Sequence, residues 1–404
     1  MNIVEPISLY FHIPFCIHRC AYCDFNTYAG QEGLIPEYVK AIQREAEAVG
    51  RSAPKKLGVH TIFFGGGTPS LLAAHQFESI LNTVQSNFEL VTGAEISLEA
   101  NPGTCTREFL ADIHSLGFNR ISFGVQSANP NELRMLERIH TYGDVVNAVK
   151  WSRQAGFDNL NLDLIYGLPE QEISTWQKSL NLILGMRPEH LSLYALTLEH
   201  GTPFGHWSQR GLMPSPDPDL AAEMYEFAEE RLAHEGYDHY EISNWSKPGL
   251  NCRHNLQYWR NEAYLGFGAG AHGHVAGYRY SNVLRIKTYI GRSMSTPDEN
   301  QLFPLSPATV NHHKNTLSEE MQETMMTGLR LTREGISLRS FLERFHLAMT
   351  DVFPGEIEKL LGLDLLEWSE QLSPDGNLDK ILRLTKRGRL LGNQVFMHFV
   401  GEKE

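Results

Sequence analysis

From Ser8 to Thr197, short runs rich in β-branched and aromatic residues alternate with stretches whose apolar residues recur at helical spacing. No other property of the chain narrows its fold so far. The strand-like runs are Leu9–Ile13, Thr61–Phe64, Glu95–Glu99, Arg120–Val125, Leu160–Ile165 and Leu191–Ala195. Between the first two, Val39, Ile42, Ala46 and Val49 fall on one helical face. Phe109, Leu110, Ile113 and Leu116 follow Thr106, a capping residue type, and Gly117 supplies a stop. Asn129-Pro130 reads as a cap with proline in the first helical position. Trp176, Leu180, Ile183 and Leu184 mark a further helix. Six such strand-then-helix units predict an α/β architecture, a parallel sheet with helical crossovers. In barrel-like sheets of this kind the chemistry gathers at the C-terminal ends of the strands.

Polar and glycine residues sit at those ends. Gly65-Gly66-Gly67-Thr68-Pro69 follows the second run, Glu99-Ala100-Asn101-Pro102 the third and Gln126-Ser127 the fourth. Asp163 interrupts the apolar fifth run, and Tyr194-Ala195 closes the sixth. Singly, glycines after a strand are turn chemistry, and an Asp in a strand is a solvated end. Converging on one rim, the glycines admit a ligand close to backbone, while carboxylates and amides can hold hydroxyl and amino groups. Straight after the first run comes Cys16-Ile17-His18-Arg19-Cys20-Ala21-Tyr22-Cys23, a C-x3-C-x2-C loop. Structural zinc wants four ligands, and no fourth cysteine or metal-spaced histidine follows nearby. A cubane of four irons and four sulfides is usually held by four cysteines. With three, one iron is left open to a small molecule. Three thiols without a metal is the bland alternative, but three of only five cysteines crowd into this short loop.

With 404 residues the chain has room for two or three domains, and 42% hydrophobic residues fit a well-cored protein rather than a disordered one. No run approaches the ~18 consecutive apolar residues of a membrane span, and no export signal is visible at the N-terminus. An odd number of cysteines, mostly clustered, is no disulfide framework and predicts a reduced, cytoplasmic setting. The formal charge of −13 opposes a general nucleic-acid binder.

Past Thr197 the pattern changes. Pro203 to Pro218, rich in Gly and Pro, reads as a connection. Leu220, Met224, Phe227, Ala228 and Leu232 form a helical stripe, and Tyr237 to Ser243 reads as a strand. Asn251-Cys252-Arg253-His254-Asn255-Leu256-Gln257-Tyr258-Trp259 and the glycine-rich stretch from Gly266 to Gly273 follow. From about Leu317 onward Met325, Leu329, Leu331, Phe341, Phe345, Ile381 to Leu384 and Leu390 to Phe399 supply the core of a small, mainly helical domain. The expected division is residues 1–205, an α+β extension over 206–305, and 306–404. Residues 311–404 carry 12 Lys and Arg against 15 Asp and Glu, so the last region reads as a cover or docking module rather than a DNA binder.

The cysteine spacing resembles the signature of the radical S-adenosylmethionine (SAM) superfamily, in which the open iron is chelated by the amino and carboxylate groups of SAM. That resemblance implies that Cys16, Cys20 and Cys23 hold a 4Fe-4S cluster and that Tyr22 packs near the adenine. More narrowly, LYFHIPFC, FFGGGTPS, ISFGVQS and LNLDLIYGLPEQ resemble the oxygen-independent coproporphyrinogen III oxidase family. By that resemblance Gly66, Gly67 and Thr68 meet the amino end of SAM, and Glu99 and Asp163 address its ribose side. Gln126, Arg138 and Ala195 complete the shell, and Tyr10 lies beside the cluster. The implied fold is a partial (β/α)6 radical SAM barrel with a smaller α+β extension and a mainly helical, winged-helix-like C-terminal domain.

Two departures matter. The oxidase motif continues to a fourth cysteine where this chain has Phe25, and only fifteen residues precede Cys16, where the oxidase has a long N-terminal segment. Both features resemble the HemW group, radical-SAM-type proteins that bind haem and deliver it to haem proteins. HNLQYW matches the H-N-x-x-Y-W motif associated with haem in that group. A neutral imidazole is a standard axial ligand of haem iron, which makes His254 the candidate ligand, with Tyr258 and Trp259 offering flat aromatic surface. The alternative is a hydrogen-bonded histidine beside core aromatics. His272 is a further candidate for contact with SAM or porphyrin, Cys252 reads as a small buried residue with ligation of iron as a thiolate as its alternative, and Cys105 receives no role. The resemblance implies a haem chaperone whose cluster and SAM gate transfer; the alternative is an oxidoreductase generating a deoxyadenosyl radical that attacks a porphyrin side chain. The expected partners are haem and acceptor haem proteins, respiratory ones among them, with a homodimer as a further candidate. No nucleic acid and no stable membrane anchor are expected.

Overall fold

The computed structural model describes residues 6–295, 301–372 and 376–401. Its contacts divide the chain into two units, Met1–Arg231 with Ala263–His313, and Leu232–Glu262 with Lys314–Glu404. The first unit is built on six parallel strands, β1 (Ile7–Ile13), β2 (Gly58–Gly66), β3 (Glu89–Ala100), β4 (Arg120–Gln126), β5 (Leu160–Tyr166) and β6 (His190–Ala195), each beside the next in sequence. Helices Ile35–Ser52, Ala74–Asn87, Arg107–Ser115, Tyr142–Ala155 and Ile173–Leu184 make the crossovers that parallel neighbours require. The α/β class and all six strands are those the sequence predicts. β3 begins earlier, at Glu89, because its polar opening turns through Gly93 at φ 73° before the apolar run.

A correction concerns Pro203–Gln209, which is a helix and not part of a plain connection. Thr202 caps it, its hydroxyl accepting from Gly205 N at 3.0 Å, and Pro203 occupies the first turn. On the other side of β1, Tyr264–Phe267 pairs in parallel, and His272–Val275 and Tyr278–Asn282 add antiparallel strands. The glycine-rich stretch is therefore strand, turn and strand. Gly266 is needed for close approach, since a Cβ there would lie 1.9 Å from the His272 carbonyl oxygen.

Strand alternation separates the two faces of this sheet. On the helix side Phe11 stacks on Phe64 at 4.9 Å and on Phe267 at 5.1 Å, and Phe64 meets Phe77 edge-on at 5.2 Å. The alternate positions carry Tyr10, Phe63 and Ser97 in one register row, and Glu99 with Ser122 and Gly124, Asp163 and Ser192 in others. Layers of branched apolar residues fill most such interiors. Here Thr61 Oγ1 donates to Ser8 Oγ at 2.6 Å, and Asn161 Nδ2 donates to Ser122 Oγ at 2.7 Å and Ser192 Oγ at 2.9 Å. A polar lining is what a site for a polar ligand needs.

The second unit packs Met325, Leu329, Phe341, Phe345, Leu360, Leu382 and Leu384 into one core. Helices Leu317–Gly328, Leu338–Phe345 and Pro354–Gly362 surround a small antiparallel sheet in which Leu378–Leu384 lies between Ile336–Ser337 and Leu366–Leu372. Thr316 and Glu319 form a reciprocal cap at the first of these helices. Helix Arg253–Trp259 belongs to this unit.

Candidate cluster and cofactor site

Phe15 and Cys16 pair in parallel with Tyr28 and Ala29, so the chain between them loops out and returns. That loop presents Cys16, Cys20 and Cys23 as free thiols. Burial pushes the Cys16 and Cys23 thiols up, and the neighbouring sulfurs add to it, which puts the three within electrostatic reach of one another. Such a trio suits an iron-sulfur centre, whose positive irons reverse that penalty. Phe25, standing where a fourth cysteine would be, is 62% exposed.

The glycine run leaving β2 is stitched to this loop by backbone. Gly67 N donates to Ile13 O at 2.9 Å and Thr68 N to Phe15 O at 2.8 Å, while Thr68 Oγ1 donates to Cys16 Sγ at 3.6 Å. A Cβ on Gly67 would fall 2.6 Å from Phe15 O and 3.0 Å from Cys16 Sγ, so only glycine lets the two segments touch. Across the site Arg138 donates through Nη2 to Gly124 O at 2.7 Å and through Nη1 to Cys20 Sγ at 3.5 Å. Gln126 Nε2 lies over the same Gly124, where a Cβ would approach it to 2.9 Å. Tyr22 faces Phe204 at 6.5 Å beside an apolar cluster that includes Ala21, Leu136 and Leu168.

Burial pushes the Glu99 carboxyl up to about 7, and Asp163 adds to the rise while the Gly66 N–H, donating to Glu99 Oε2 at 2.9 Å, opposes it. Asp163 is itself raised by burial against the pull of Ser192, Asn161 and Ser122. An acid raised in the folded state stabilises that state below its unfolded value and loses the contribution as pH climbs through its folded one. From about 4.5 to about 7 that amounts to about 3 kcal/mol. Glu99→Gln in the ligand-free chain is therefore expected to flatten the fall in urea stability between pH 4.5 and pH 8. A slope equal to the wild type would show that Glu99 does not titrate in that window.

Sequence reading missed His12, Asn26 and Gly124. Burial holds His12 below the usual imidazole range. Its Nε2 donates to Asn26 O at 2.9 Å, which leaves Nδ1 to accept from the Tyr10 hydroxyl at 2.9 Å. Asn26 Nδ2 in turn donates to Ala269 O at 2.9 Å and Leu284 O at 3.0 Å, anchoring the return of the cysteine loop. His12 shares the strand parity of Ser8 and Tyr10, and that parity was the available signal.

The structure thus assembles Tyr10, Cys16, Cys20, Tyr22, Cys23, Gly66, Gly67, Thr68, Glu99, Gln126, Arg138 and Asp163 around the C-terminal ends of β1 to β5. Ala195 ends β6, exposed and paired with Tyr166. His272 opens its strand close enough to His12 for their charges to oppose. His254 lies in the second unit, 1% exposed, its Nε2 sharing a 2.8 Å hydrogen bond with the Tyr258 hydroxyl and its ring edge-on to that phenol at 5.0 Å. Cys252, fully buried, is the residue preceding that helix, and burial pushes the Cys105 thiol up to about 12, which leaves it inert.

The Radical SAM superfamily model matches residues 10–183, and the HemN C-terminal domain model matches residues 315–391. A Bacillus subtilis protein named heme chaperone HemW is 36% identical over 397 residues, covering 98% of this chain and 99% of its own length. The chain belongs to the HemW family. The Escherichia coli heme chaperone HemW is 41% identical over 279 residues, 67% of this chain and 71% of that one. The solved structure of coproporphyrinogen III oxidase (HemN) from Escherichia coli superposes with a TM-score of 0.79 at 23% identity, covering 98% of this chain and 90% of that one, which establishes a common fold. As a radical SAM protein of the HemW family, the chain carries a 4Fe-4S cluster and binds SAM.

Proposed function

We propose that this chain is a haem chaperone, which binds haem and passes it to haem proteins under the control of its cluster and SAM. The observation that carries this reading is likeness along nearly the whole length to proteins named heme chaperone HemW. Phe25 supports it, because the side chain offers no fourth sulfur beside the loop. In this reading Cys16, Cys20 and Cys23 hold three irons and leave the fourth to the amino and carboxylate groups of SAM. The cluster, when bound, supplies an electron and a Lewis-acidic iron. The chain's own residues do the positioning. Gly66 and Gly67 keep side chains out of the space next to the loop, Arg138 sets a positive charge against Cys20, and Glu99 and Asp163 offer acceptors to ribose hydroxyls. Residues 1–205 would carry this machinery, with acceptor haem proteins, respiratory ones included, and a second copy of the chain as partners in a cytoplasmic setting. No helix among the described residues is long and apolar enough to cross a membrane.

The test is anaerobic reconstitution followed by two assays on one preparation. Haem-loaded chain is expected to move its haem to an apo haem protein, read by the Soret band, and to give no multiple turnover of coproporphyrinogen with SAM and reductant. Repeated decarboxylation without transfer would replace the chaperone reading by the oxidoreductase one. Ligation of haem iron through Nε2 of His254 requires its bond to Tyr258 to open. If it does, His254→Ala shifts the Soret band and weakens haem binding; an unchanged spectrum and affinity remove His254 from the ligand set.

A further inference from the structure

Three strained residues stand around the rim of the cluster and cofactor site. Gln126, the last residue of β4, has φ 67°, and Glu137, just before Arg138, has φ 54°. Glu170, in the loop leaving β5, has φ 57°. Left-handed backbone in residues with a Cβ costs free energy and persists only where the surroundings over-determine it. A buried carboxylate, Glu132, ties the three together. It lies on the short helix Pro130–Met135, between Gln126 and Glu137. One of its oxygens accepts from the Ser127 hydroxyl and the other from Gln171 Nε2 at 3.0 Å. Ser127 follows Gln126, and its Oγ accepts from Asn129 N at 2.9 Å. Gln171 follows Glu170, and its Oε1 accepts from Leu168 N at 3.1 Å. Past the helix Arg138 N donates to Leu133 O at 2.8 Å, and the guanidinium turns back to Gly124 O and Cys20 Sγ. Ser127, Glu132 and Gln171 are all buried. Apolar groups of the same shape in place of a buried hydrogen-bonded pair can be nearly neutral for stability, so stability alone does not account for this chain of bonds.

Resting on the cluster and SAM placement proposed above, we infer that Glu132 is a positioning residue. Clamped between Ser127 and Gln171, it fixes Gln126 over Gly124 and Arg138 against Cys20. It also locks the loop after β4 to the loop after β5, so the contact to the cluster and the Asp163 acceptor on β5 keep their spacing. The donors and acceptors give the inference a sign. Ser127 Oγ and Leu168 N each need an acceptor, and one N–H must pass between the side chains at 132 and 171. Gln171→Leu removes that N–H, and Gln171→Glu sets two carboxylates face to face. Adding Glu132→Gln to Gln171→Glu exchanges the two side chains, restores the N–H and keeps both acceptors at unchanged net charge.

The experiment uses the full-length chain reconstituted anaerobically with iron and sulfide. It reads the midpoint potential of the cluster by electron paramagnetic resonance titration, SAM affinity by equilibrium binding, and urea stability. A cation donating to a ligating sulfur favours the reduced cluster. Arg138→Gln is therefore expected to lower the potential and to raise the SAM dissociation constant about tenfold. Gln171→Leu is expected to move both in the same direction, the dissociation constant by about threefold or more. Combined with Arg138→Gln it should add nothing, because it acts through the guanidinium already lost. Gln171→Glu alone should behave like Gln171→Leu, and the exchanged pair should return both readings to the wild-type values; should either single variant fail to fold, the other and the exchanged pair carry the test. Lower urea stability with wild-type potential and SAM affinity would make Glu132 a residue of the fold only and overturn the inference, as would full additivity with Arg138→Gln. An Arg138→Gln chain with wild-type potential and affinity would instead overturn the site placement beneath it.

Discussion

Replacing any one of Cys16, Cys20 and Cys23 with alanine is expected to abolish the iron-sulfur centre outright. Two thiolates cannot hold a cubane whose protein ligands number three to begin with, and no other thiol stands beside the loop to substitute, since the position of a fourth is Phe25. Anaerobic reconstitution should take iron from about four per chain to near zero, and the electron paramagnetic resonance change on adding SAM should vanish with it. Cys105→Ala, whose thiol is buried and held neutral, should reconstitute like the wild type. Retention of a SAM-responsive cluster in any of the three loop variants would remove that residue from the ligand set.

The second large effect concerns folding rather than chemistry. Glu45, on helix Ile35–Ser52, is 1% exposed and accepts from Gly268 N at 2.9 Å, Asn282 Nδ2 at 2.6 Å, Tyr289 Oη at 2.6 Å and Ser306 Oγ at 2.7 Å. Burial raises its pKa, and these four donors hold it back. Removing an acceptor shared by four buried donors takes a partner from each, while Asn282 Nδ2 keeps a second acceptor, Gly268 O at 3.0 Å, so Glu45→Ala is expected to cost about 3–5 kcal/mol in urea unfolding. Glu45→Gln, which keeps an oxygen but brings two N–H groups into a ring of donors, should cost less than alanine. A loss under about 1 kcal/mol for the alanine variant would mean that water replaces the carboxylate.

The strand-and-helix alternation made the parallel sheet legible, because each strand shows its apolar face at period two and each long helix its stripe at period 3.6. Glu99 and Asp163 were legible as site residues because charge inside an apolar run is conspicuous. His12 and Asn26 were not, since a histidine within LYFHIPFC looks like any other half-polar strand position until the pairing of β1 with β2 assigns its face. Glu45 was invisible for a different reason. It sits between Ala41 and Val49 as an ordinary helical glutamate, and its four donors come from more than two hundred residues downstream. The helix Pro203–Gln209 was hidden by composition, although Thr202-Pro203 carried the cap signal. His254 shows the limit of motif reading. Its place in HNLQYW was plain, but only the structure shows its nitrogen already engaged.

The first unit is discontinuous, and that has a consequence for how the protein is made. β1 emerges from the ribosome first, yet the strand that covers one of its edges, Tyr264–Phe267, lies some two hundred and fifty residues later. At ~5–20 residues per second of synthesis, that edge waits roughly ten to fifty seconds for its partner. An open edge of this composition is a template for pairing with the wrong chain. The central sheet of this chain is thus closed only by residues from its second half, and iron delivered before they are made would meet a cysteine loop whose anchors at Ala269 and Leu284 do not yet exist.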